Sequence, residues 1–348
     1  MKEDFLDRVR RIVEEKSLDG VLITKRENVR YLTNFSGTTG YVFCDGDDAI
    51  FLTDFRYIEQ AEKECISWKV DLLKEGIRNW LKDKNIKRIG LEDSVTLGFV
   101  NLLKEEGIEA TSIGRLVEEM RVIKDKREIE LIEESLRIAE RAFLETLPFI
   151  KEGVREKDVE AELVYRMKKN GADKEAFDVI VASGNRSSLP HGTASTKRIA
   201  KNEVIVIDFG AVYKGYHSDI TRVVFIGKPD EEVLRIHRAI VEAMDEVISG
   251  IREGVDCRKL HGVTIDVLSR YGYERYFGHG TGHGVGLEIH EAPTISHSSQ
   301  DRITRGMVFT VEPGVYIQGG FGLRVEDMVY FDGEPVILTK LDRNIYLI

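Results

Sequence analysis

"EVIVIDFGAVYKGYHSDITRVVFIG", residues 203–227, contains two apolar runs separated by a turn rich in glycine and tyrosine. Both runs are rich in the β-branched residues that favour buried strands. Asp208 follows the run 204–207, and Asp219 begins the second run eleven residues later, a spacing that suits a hairpin. Antiparallel pairing of the two strands could bring both carboxylates to one point. An ionised carboxylate on an apolar strand is costly unless a partner compensates it, so this pair needs an explanation.

Two more acidic residues interrupt apolar strands in the same way. Glu312 follows the run 308–311, and Glu326 follows the run 323–325. Any one of the four acids could be a strand-end residue, a turn former or a salt-bridge partner. A cluster of four without counter-charge, however, would repel itself and force protonation. Two divalent cations would balance the four negative charges, and we therefore predict a metal centre.

A histidine-rich and glycine-rich segment supplies the remaining candidate ligand. "YFGHGTGHGVGLEIHEAP", residues 276–293, has three histidines and five glycines, and the glycines allow the backbone to approach a metal closely. His283 is the predicted imidazole ligand; an ordinary hydrogen-bonded loop histidine is the alternative. Oxygen ligands with one imidazole and no thiolate suit Mn, Co or Fe better than a structural zinc. Two such metals roughly 3.5–4 Å apart can share a hydroxide and direct it at a carbonyl, which predicts hydrolysis.

Composition limits the classes of partner. The chain has 348 residues, enough for two domains, and a formal net charge of -10, which argues against nucleic acid or an anionic membrane as the main partner. No run approaches the ~20 apolar residues that span a bilayer, and the charged N-terminal sequence does not resemble a signal peptide. Cys44, Cys65 and Cys257 lack metal-binding spacing, so we expect buried free thiols and a cytoplasmic protein.

The first third of the chain predicts a small α/β domain. Helical patterns alternate there with short strands, and "YVFCDGDDAIFLTDFRY", residues 41–57, predicts a hairpin that turns at 45–48. A long helix follows the charged run "KDKRE", because apolar residues recur at helical spacing on one face. These residues are Ile129, Ile132, Leu136, Ala139 and Phe143. We place the domain boundary near residue 120.

The remainder of the chain has the pattern of an α+β domain in which polar residues interrupt apolar strands. The predicted strands are 177–184, 203–213, 219–227, 307–317 and 323–331, with helices near 230–250 and 257–271.

The motifs together resemble a known family. "IDFGAVYKGYHSDITR", "GHGTGHGVGLEIHE", "VFTVEPGVY" and "GLRVED" are similar to the pita-bread metallopeptidases, the group of methionine aminopeptidase, aminopeptidase P and prolidase. "FLTDFRYIEQA" resembles the N-terminal domain of the Xaa-Pro-specific members. The resemblance implies an α+β fold in which a creatinase/prolidase-like α/β domain, residues 1–120, precedes a pita-bread (creatinase/methionine aminopeptidase-like) catalytic domain, residues 121–348.

The resemblance also implies a ligand set. Asp208 would hold one metal with both oxygens, Asp219 and Glu326 would each bridge the pair, and His283 and Glu312 would complete the other metal. Each subunit would then carry two divalent ions, with Mn or Co favoured and Zn or Fe as alternatives.

Substrate roles follow from the same resemblance. His191, His279 and His290 would orient the scissile carbonyl and stabilise the oxyanion or the leaving nitrogen. Arg324 would pair with a bridging carboxylate such as Asp219. Glu312 would also take part in proton transfer to the leaving group.

The implied function is that of an Xaa-Pro aminopeptidase, which uses a metal-bridging hydroxide to release the residue before proline from short peptides. Xaa-Pro dipeptidase (prolidase), restricted to dipeptides, is the alternative, and a homodimer is implied in either case. A non-catalytic member of the fold, or metal-free creatinase, is disfavoured because all five metal ligands of the family are present. A phosphate site on "GHGTGHGVG" is disfavoured because the Lys-[Ser/Thr] end of a P-loop is missing.

Overall fold

The computed structural model describes residues 2–348, which divide into two compact units, one ending at Arg121 and one running from Val122 to Ile348. The first unit has a six-stranded mixed sheet of order β4-β3-β2-β1-β5-β6 with helices between the strands. The strands are β1 Gly20–Ile23, β2 Tyr41–Cys44, β3 Ala49–Thr53, β4 Lys69–Leu72, β5 Arg88–Leu91 and β6 Glu109–Ser112. The helices are α1 Lys2–Lys16, α2 Arg26–Thr33, α3 Ile58–Glu64, α4 Ile77–Asp83, α5 Leu97–Glu105 and α6 Leu116–Arg121. The predicted hairpin is present as antiparallel β2 and β3.

The second unit combines helices with several small sheets. Its helices are α7 Lys126–Thr146, α8 Glu156–Lys169, α9 Glu231–Ser249 and α10 Cys257–Tyr271. Its strands are β7 Lys174–Glu175, β8 Ile180–Ser183, β9 Val204–Phe209, β10 Ala211–Tyr213, β11 Tyr216–His217, β12 Ile220–Phe225, β13 Gly282–Gly284, β14 Glu291–Ile295, β15 Val308–Val311, β16 Gly314–Tyr316, β17 Gly322–Arg324, β18 Asp327–Phe331, β19 Pro335–Ile337 and β20 Tyr346–Leu347. The larger sheets have the orders β20-β12-β9-β8 and β14-β13-β15-β18-β19.

The hairpin of residues 203–227 forms as its sequence predicts. Strands β9 and β12 pair in antiparallel fashion, with Asp208 opposite Thr221, and a small second hairpin of β10 and β11 lies between them. Side chains along both strands are buried, except for the partly buried Asp208, because helices pack on the sheet. Asp208 is thereby fixed near the end of one strand, and Asp219 immediately before the start of the other.

Two of the predicted strands are broken at their acidic residues. The expected strand 323–331 is divided into β17 and β18 by Val325 and Glu326, and 307–317 is divided after Val311. The backbone N–H of Glu326 donates to the Thr221 carbonyl at 3.2 Å, and that of Glu312 donates to the Thr281 carbonyl at 2.8 Å. The prediction of continuous strands was wrong here because these residues leave the ladder and bond to other segments instead.

Helix α7 anchors the core behind β9. It begins at Lys126 because Asp125 and Glu128 form a capping box, in which the Asp125 side chain accepts from the Glu128 N–H at 2.9 Å. The predicted apolar face is buried, and its Phe143 ring stacks on that of Phe209 with ring centroids 5.1 Å apart. The helix thus packs directly on the strand that presents Asp208.

All three cysteines are free and buried, as predicted. Among residues 2–348, every helix is too short or too polar to cross a lipid bilayer.

Candidate metal centre

The predicted ligands converge at the ends of the strands described above. Asp219, His283 and Glu326 each direct one ligand atom to a common region, with these atoms all within 4.8 Å of one another. The His283 Nε2 atom lies 3.5 Å from Asp219 Oδ2 and also 3.5 Å from Glu312 Oε1. Asp208 is close enough for its charge to raise the pKa of Asp219, Glu312 and Glu326. Residues separated by more than a hundred positions therefore meet at one place.

The carboxylates are unfavourable neighbours in the absence of a cation. Burial, and then the charges of Glu326, Asp208 and Glu312, raise the pKa of Asp219 well above 3.8. Burial and the charges of Glu312 and Asp208 raise the pKa of Glu326 well above 4.5. Arg324 opposes these shifts, but one guanidinium does not balance four carboxylates. The folded chain therefore favours protonation or bound cations at this point.

Two details of the structure fit a bound cation. The Oδ1 atom of Asp208 is buried and has no hydrogen-bond partner, an arrangement that costs free energy unless an ion occupies its lone pairs. The Nδ1 atom of His283 faces the Gly284 carbonyl at 3.1 Å and must donate to it, which leaves the Nε2 lone pair directed at the carboxylates. Burial lowers the pKa of His283 and keeps its imidazole neutral, as a metal ligand requires. The residues present therefore fit divalent metals.

Arg324 is the buried counter-charge of the site, but its partner differs from the predicted one. Its NH2 group donates to Asp208 Oδ2 at 2.6 Å, so the expected ion pair with Asp219 was wrong. Its Nε–H donates to the Thr221 hydroxyl at 3.0 Å, and that hydroxyl donates to Glu326 Oε2 at 2.7 Å. Thr221 lies opposite Asp208 on the hairpin, which explains why one guanidinium reaches both. The sequence analysis did not identify Thr221.

His279 is held in one tautomer by Tyr316. The Tyr316 hydroxyl accepts from Arg324 NH1 at 2.6 Å, so its own proton is available for His279 Nε2 at 3.0 Å. The His279 Nδ1–H donates to the Gly280 carbonyl at 2.7 Å. Burial raises the pKa of Tyr316 to about 12 and lowers the pKa of His279, so both groups are neutral. Both ring nitrogens of His279 therefore have partners within the protein, and its contact with substrate stays a prediction.

The other two predicted histidines lie beside this group. The His290 ring is 4.3 Å from the His283 ring, centroid to centroid, and burial lowers the pKa of His290. His191 is in the loop that follows β8, near enough to influence the pKa of both His279 and His290. The structure thus places His279 and His290 beside the carboxylate cluster, and the exposed His191 within electrostatic range of both histidines.

Two buried ion pairs, one involving β12 and one involving β14, were not predicted from the sequence. Arg222, which is fully buried, donates to the Glu326 carbonyl at 2.6 Å and to Asp327 Oδ1 at 2.7 Å. Lys124 pairs with Glu291 at 2.9 Å, with both side chains almost inaccessible to solvent. An arginine within an apolar strand was the available signal for the first pair, because a buried charge requires a partner.

Carboxylates and one imidazole that meet at the end of a β-hairpin form the donor set that divalent metal ions use in hydrolases. Residues 130–332 match the profile of "Metallopeptidase family M24", and residues 6–123 match that of "Creatinase/Prolidase N-terminal domain". The chain belongs to metallopeptidase family M24, and membership of that family implies divalent metal ions.

Relatives resemble the chain over its whole length. An Xaa-Pro dipeptidase of Pyrococcus furiosus is 39% identical over 355 residues, covering 99% of this chain and 100% of that protein. The structure of an Xaa-Pro dipeptidase from Bacillus anthracis has a TM-score of 0.94 and 39% identity, covering 100% of both chains. An X-Pro aminopeptidase from Thermotoga maritima has a TM-score of 0.88 and 39% identity, covering 97% of this chain and 100% of that chain. These findings confirm the predicted creatinase-type N-terminal domain, the pita-bread catalytic domain and a peptidase function.

Proposed function

We propose that the protein is an Xaa-Pro dipeptidase, which hydrolyses the bond between any first residue and a C-terminal proline. The observation that carries this proposal is the convergence of Asp219, His283 and Glu326, with Glu312 beside them, in a chain that aligns end to end with an Xaa-Pro dipeptidase of Pyrococcus furiosus. The sequence motifs put the aminopeptidase first, whereas two of the three relatives described above are dipeptidases. Aminopeptidase activity on longer peptides is the second candidate, favoured by the Thermotoga maritima structure.

Five residues are proposed to hold the metals, namely Asp208, Asp219, His283, Glu312 and Glu326. Two divalent cations bound there would polarise the scissile carbonyl and lower the pKa of a water molecule. Manganese or cobalt suits this donor set because its ligands are hard oxygens with one imidazole. Metal analysis of the purified protein would test both the number and the identity of the ions.

The protein's own residues would complete the chemistry. Cleavage before proline releases a secondary amine, so the nitrogen, which carries no hydrogen in the substrate, must gain a proton. We assign that transfer to a carboxylate oxygen of Glu312, whose Oε1 atom lies within the cluster, 3.5 Å from His283 Nε2. His191 and His290, at the edge of the cluster, would donate hydrogen bonds to the substrate carbonyl and hold it in place.

Peptides of two lengths distinguish the candidates. Met-Pro should be cleaved, and Arg-Pro-Pro should be cleaved slowly or not at all. Efficient cleavage of the tripeptide would favour the aminopeptidase instead. EDTA should abolish the activity and Mn or Co should restore it; activity that persists in metal-free buffer would contradict the mechanism. Asp219→Ala should lose nearly all turnover, whereas Asp245→Ala should not, because that carboxylate is 65% exposed.

Three broader expectations remain proposals. The domain boundary near residue 120 is supported by the division of the structure after Arg121. A homodimer is expected from the family resemblance and would be tested by light scattering on the purified protein. Cytoplasmic location is supported by three buried free thiols and would be tested by cell fractionation.

A further inference from the structure

The loop that carries His191 is closed at its base by one buried carboxylate. Residues 184–195 connect the end of β8 to the segment before β9. Glu156, the first residue of α8, lies under this loop and is fully buried. It contacts none of the metal ligands, so metal chemistry does not explain it.

Each oxygen of Glu156 holds one end of the loop. Oε1 accepts from the backbone N–H of Ser183 at 2.8 Å and from its hydroxyl at 2.8 Å. Oε2 accepts from the backbone N–H of Ser195 at 3.0 Å and from its hydroxyl at 2.6 Å. The Arg186 guanidinium, from within the loop, also pairs with Oε2. One side chain therefore joins residues that are twelve positions apart in sequence.

The tip of the loop is tied to the metal centre. The Pro190 carbonyl accepts from Arg324 NH1 at 3.1 Å, and Arg324 is the residue that pairs with Asp208. The Ser187 hydroxyl accepts from the Gly322 N–H at 2.9 Å. A Cβ atom at position 322 would meet the Ser187 carbonyl oxygen at 2.4 Å, so glycine is required for this approach. His191 therefore follows a residue whose backbone is fixed by the site, in a loop whose ends are fixed by Glu156.

We propose that Glu156 is the positioning residue of His191, acting through the loop and touching neither metal nor substrate. This proposal rests on the proposed role of His191 in holding the substrate. A glutamine would not replace the carboxylate, because its amide nitrogen would face N–H donors at one end of the loop, whichever way it is turned. It would also leave the Arg186 charge without its partner.

The test compares Glu156→Gln with a matched variant, Glu140→Gln. Glu140 is likewise buried and accepts from the backbone N–H groups of Lys340 and Leu341, but it contacts no residue of the His191 loop. We expect Glu156→Gln to lower kcat for Met-Pro by roughly 10- to 100-fold, since small misplacements of a catalytic group have effects of that size. Glu140→Gln should leave kcat unchanged. Bound metal should be the same in both variants.

A double-mutant cycle separates positioning from general destabilisation. In the His191→Ala background, Glu156→Gln should cause no further loss of kcat, because the group it positions is already absent. Loss by the same factor in both backgrounds would overturn the proposal. Ser195→Ala removes only one donor and provides a milder variant if Glu156→Gln does not fold; its expected loss, about threefold, should likewise vanish in the His191→Ala background.

Hydrogen exchange gives a readout that does not depend on activity. Backbone amides of residues 184–195 should exchange faster in Glu156→Gln than in the wild type, and Glu140→Gln should leave them unchanged. Unchanged exchange in Glu156→Gln would overturn the anchoring role. If the wild type does not cleave Met-Pro, the dipeptidase proposal fails, while the exchange result still decides whether Glu156 holds the loop.

Discussion

Replacing Asp219 with asparagine should stabilise the metal-free protein while abolishing metal binding at the cluster. The Asp219 carboxylate is almost fully buried, and the His283 Nε2 atom lies 3.5 Å from it, too far for a good hydrogen bond. Its pKa is raised by burial first and then by three neighbouring carboxylates. Asparagine keeps the shape of the side chain and removes the charge, so repulsion is relieved with little lost bonding.

The size of the effect has an upper limit. A raised pKa destabilises the folded state by about 1.4 kcal/mol per unit, up to the point at which the group is protonated. With an ordinary value of 3.8, Asp219 can therefore cost at most about 4 kcal/mol at pH 7. We expect a gain in the free energy of unfolding that does not exceed about 4 kcal/mol.

The pH dependence has a definite sign. Because the folded-state pKa of Asp219 lies above its unfolded value of 3.8, the penalty is absent below that value and grows as the pH rises towards the folded pKa. The advantage of Asp219→Asn should therefore be largest near neutral pH and should disappear as the pH approaches 4.

Urea unfolding of stripped protein in EDTA is the appropriate assay, repeated with added manganese. Metal at a hundred times its dissociation constant should stabilise the wild type by about 2.7 kcal/mol and the variant by far less. The difference in the free energy of unfolding between the two proteins should therefore become smaller or change sign. Asp245→Asn, which removes an exposed carboxylate paired with Arg343, should change stability by less than about 1 kcal/mol. An Asp219→Asn protein that is less stable than the wild type in EDTA at pH 7 would refute the claim of crowded carboxylates.

Three further perturbations follow from particular contacts. Arg324→Lys should weaken metal binding or lower kcat by roughly 10- to 100-fold, because a single ammonium does not reproduce the guanidinium's bonds to Asp208 and its neighbours. Unchanged affinity in a metal titration together with an unchanged kcat would contradict this expectation. Phe143→Ala should lower the free energy of unfolding by about 3–5 kcal/mol, because the ring is fully buried and stacked on Phe209. Urea titration measures this loss, and a loss under about 1 kcal/mol would show that neighbouring side chains fill the cavity. Burial lowers the pKa of His237 below its ordinary 6.5, so the unfolded chain binds more protons at this residue, and the contribution of His237 to stability should fall as the pH drops below about 6.5. Acidification should therefore change the melting temperature of His237→Gln less unfavourably than that of the wild type, and an identical change in both proteins would exclude a contribution from this residue.

Local pattern in the sequence was sufficient for the elements that present the ligands. The hairpin 203–227 and the helix at 126–146 follow from apolar periodicity and from capping, which depend on residues only a few positions apart. The metal-binding chemistry of the cluster could also be predicted from the sequence, because a carboxylate on an apolar strand needs a compensating partner whatever the orientation of its side chain. The breaks in two of the strands could not be predicted in this way. The backbone N–H groups of Glu312 and Glu326 form hydrogen bonds to segments far away in sequence, which local pattern does not reveal.

The sequence by itself determined the hairpin and the helix that pack behind the site, the types of residue that could hold a metal, and the family. Only the tertiary structure decided that Arg324 pairs with Asp208 rather than Asp219, and that Glu156 joins the two ends of the His191 loop. The physical reason is one of range. Apolar periodicity depends on neighbouring residues, whereas the partner of a buried charge depends on how strands and helices pack. Asp208 and Asp219 are eleven positions apart and more than a hundred residues from Arg324, so the sequence does not distinguish which of them the arginine pairs with.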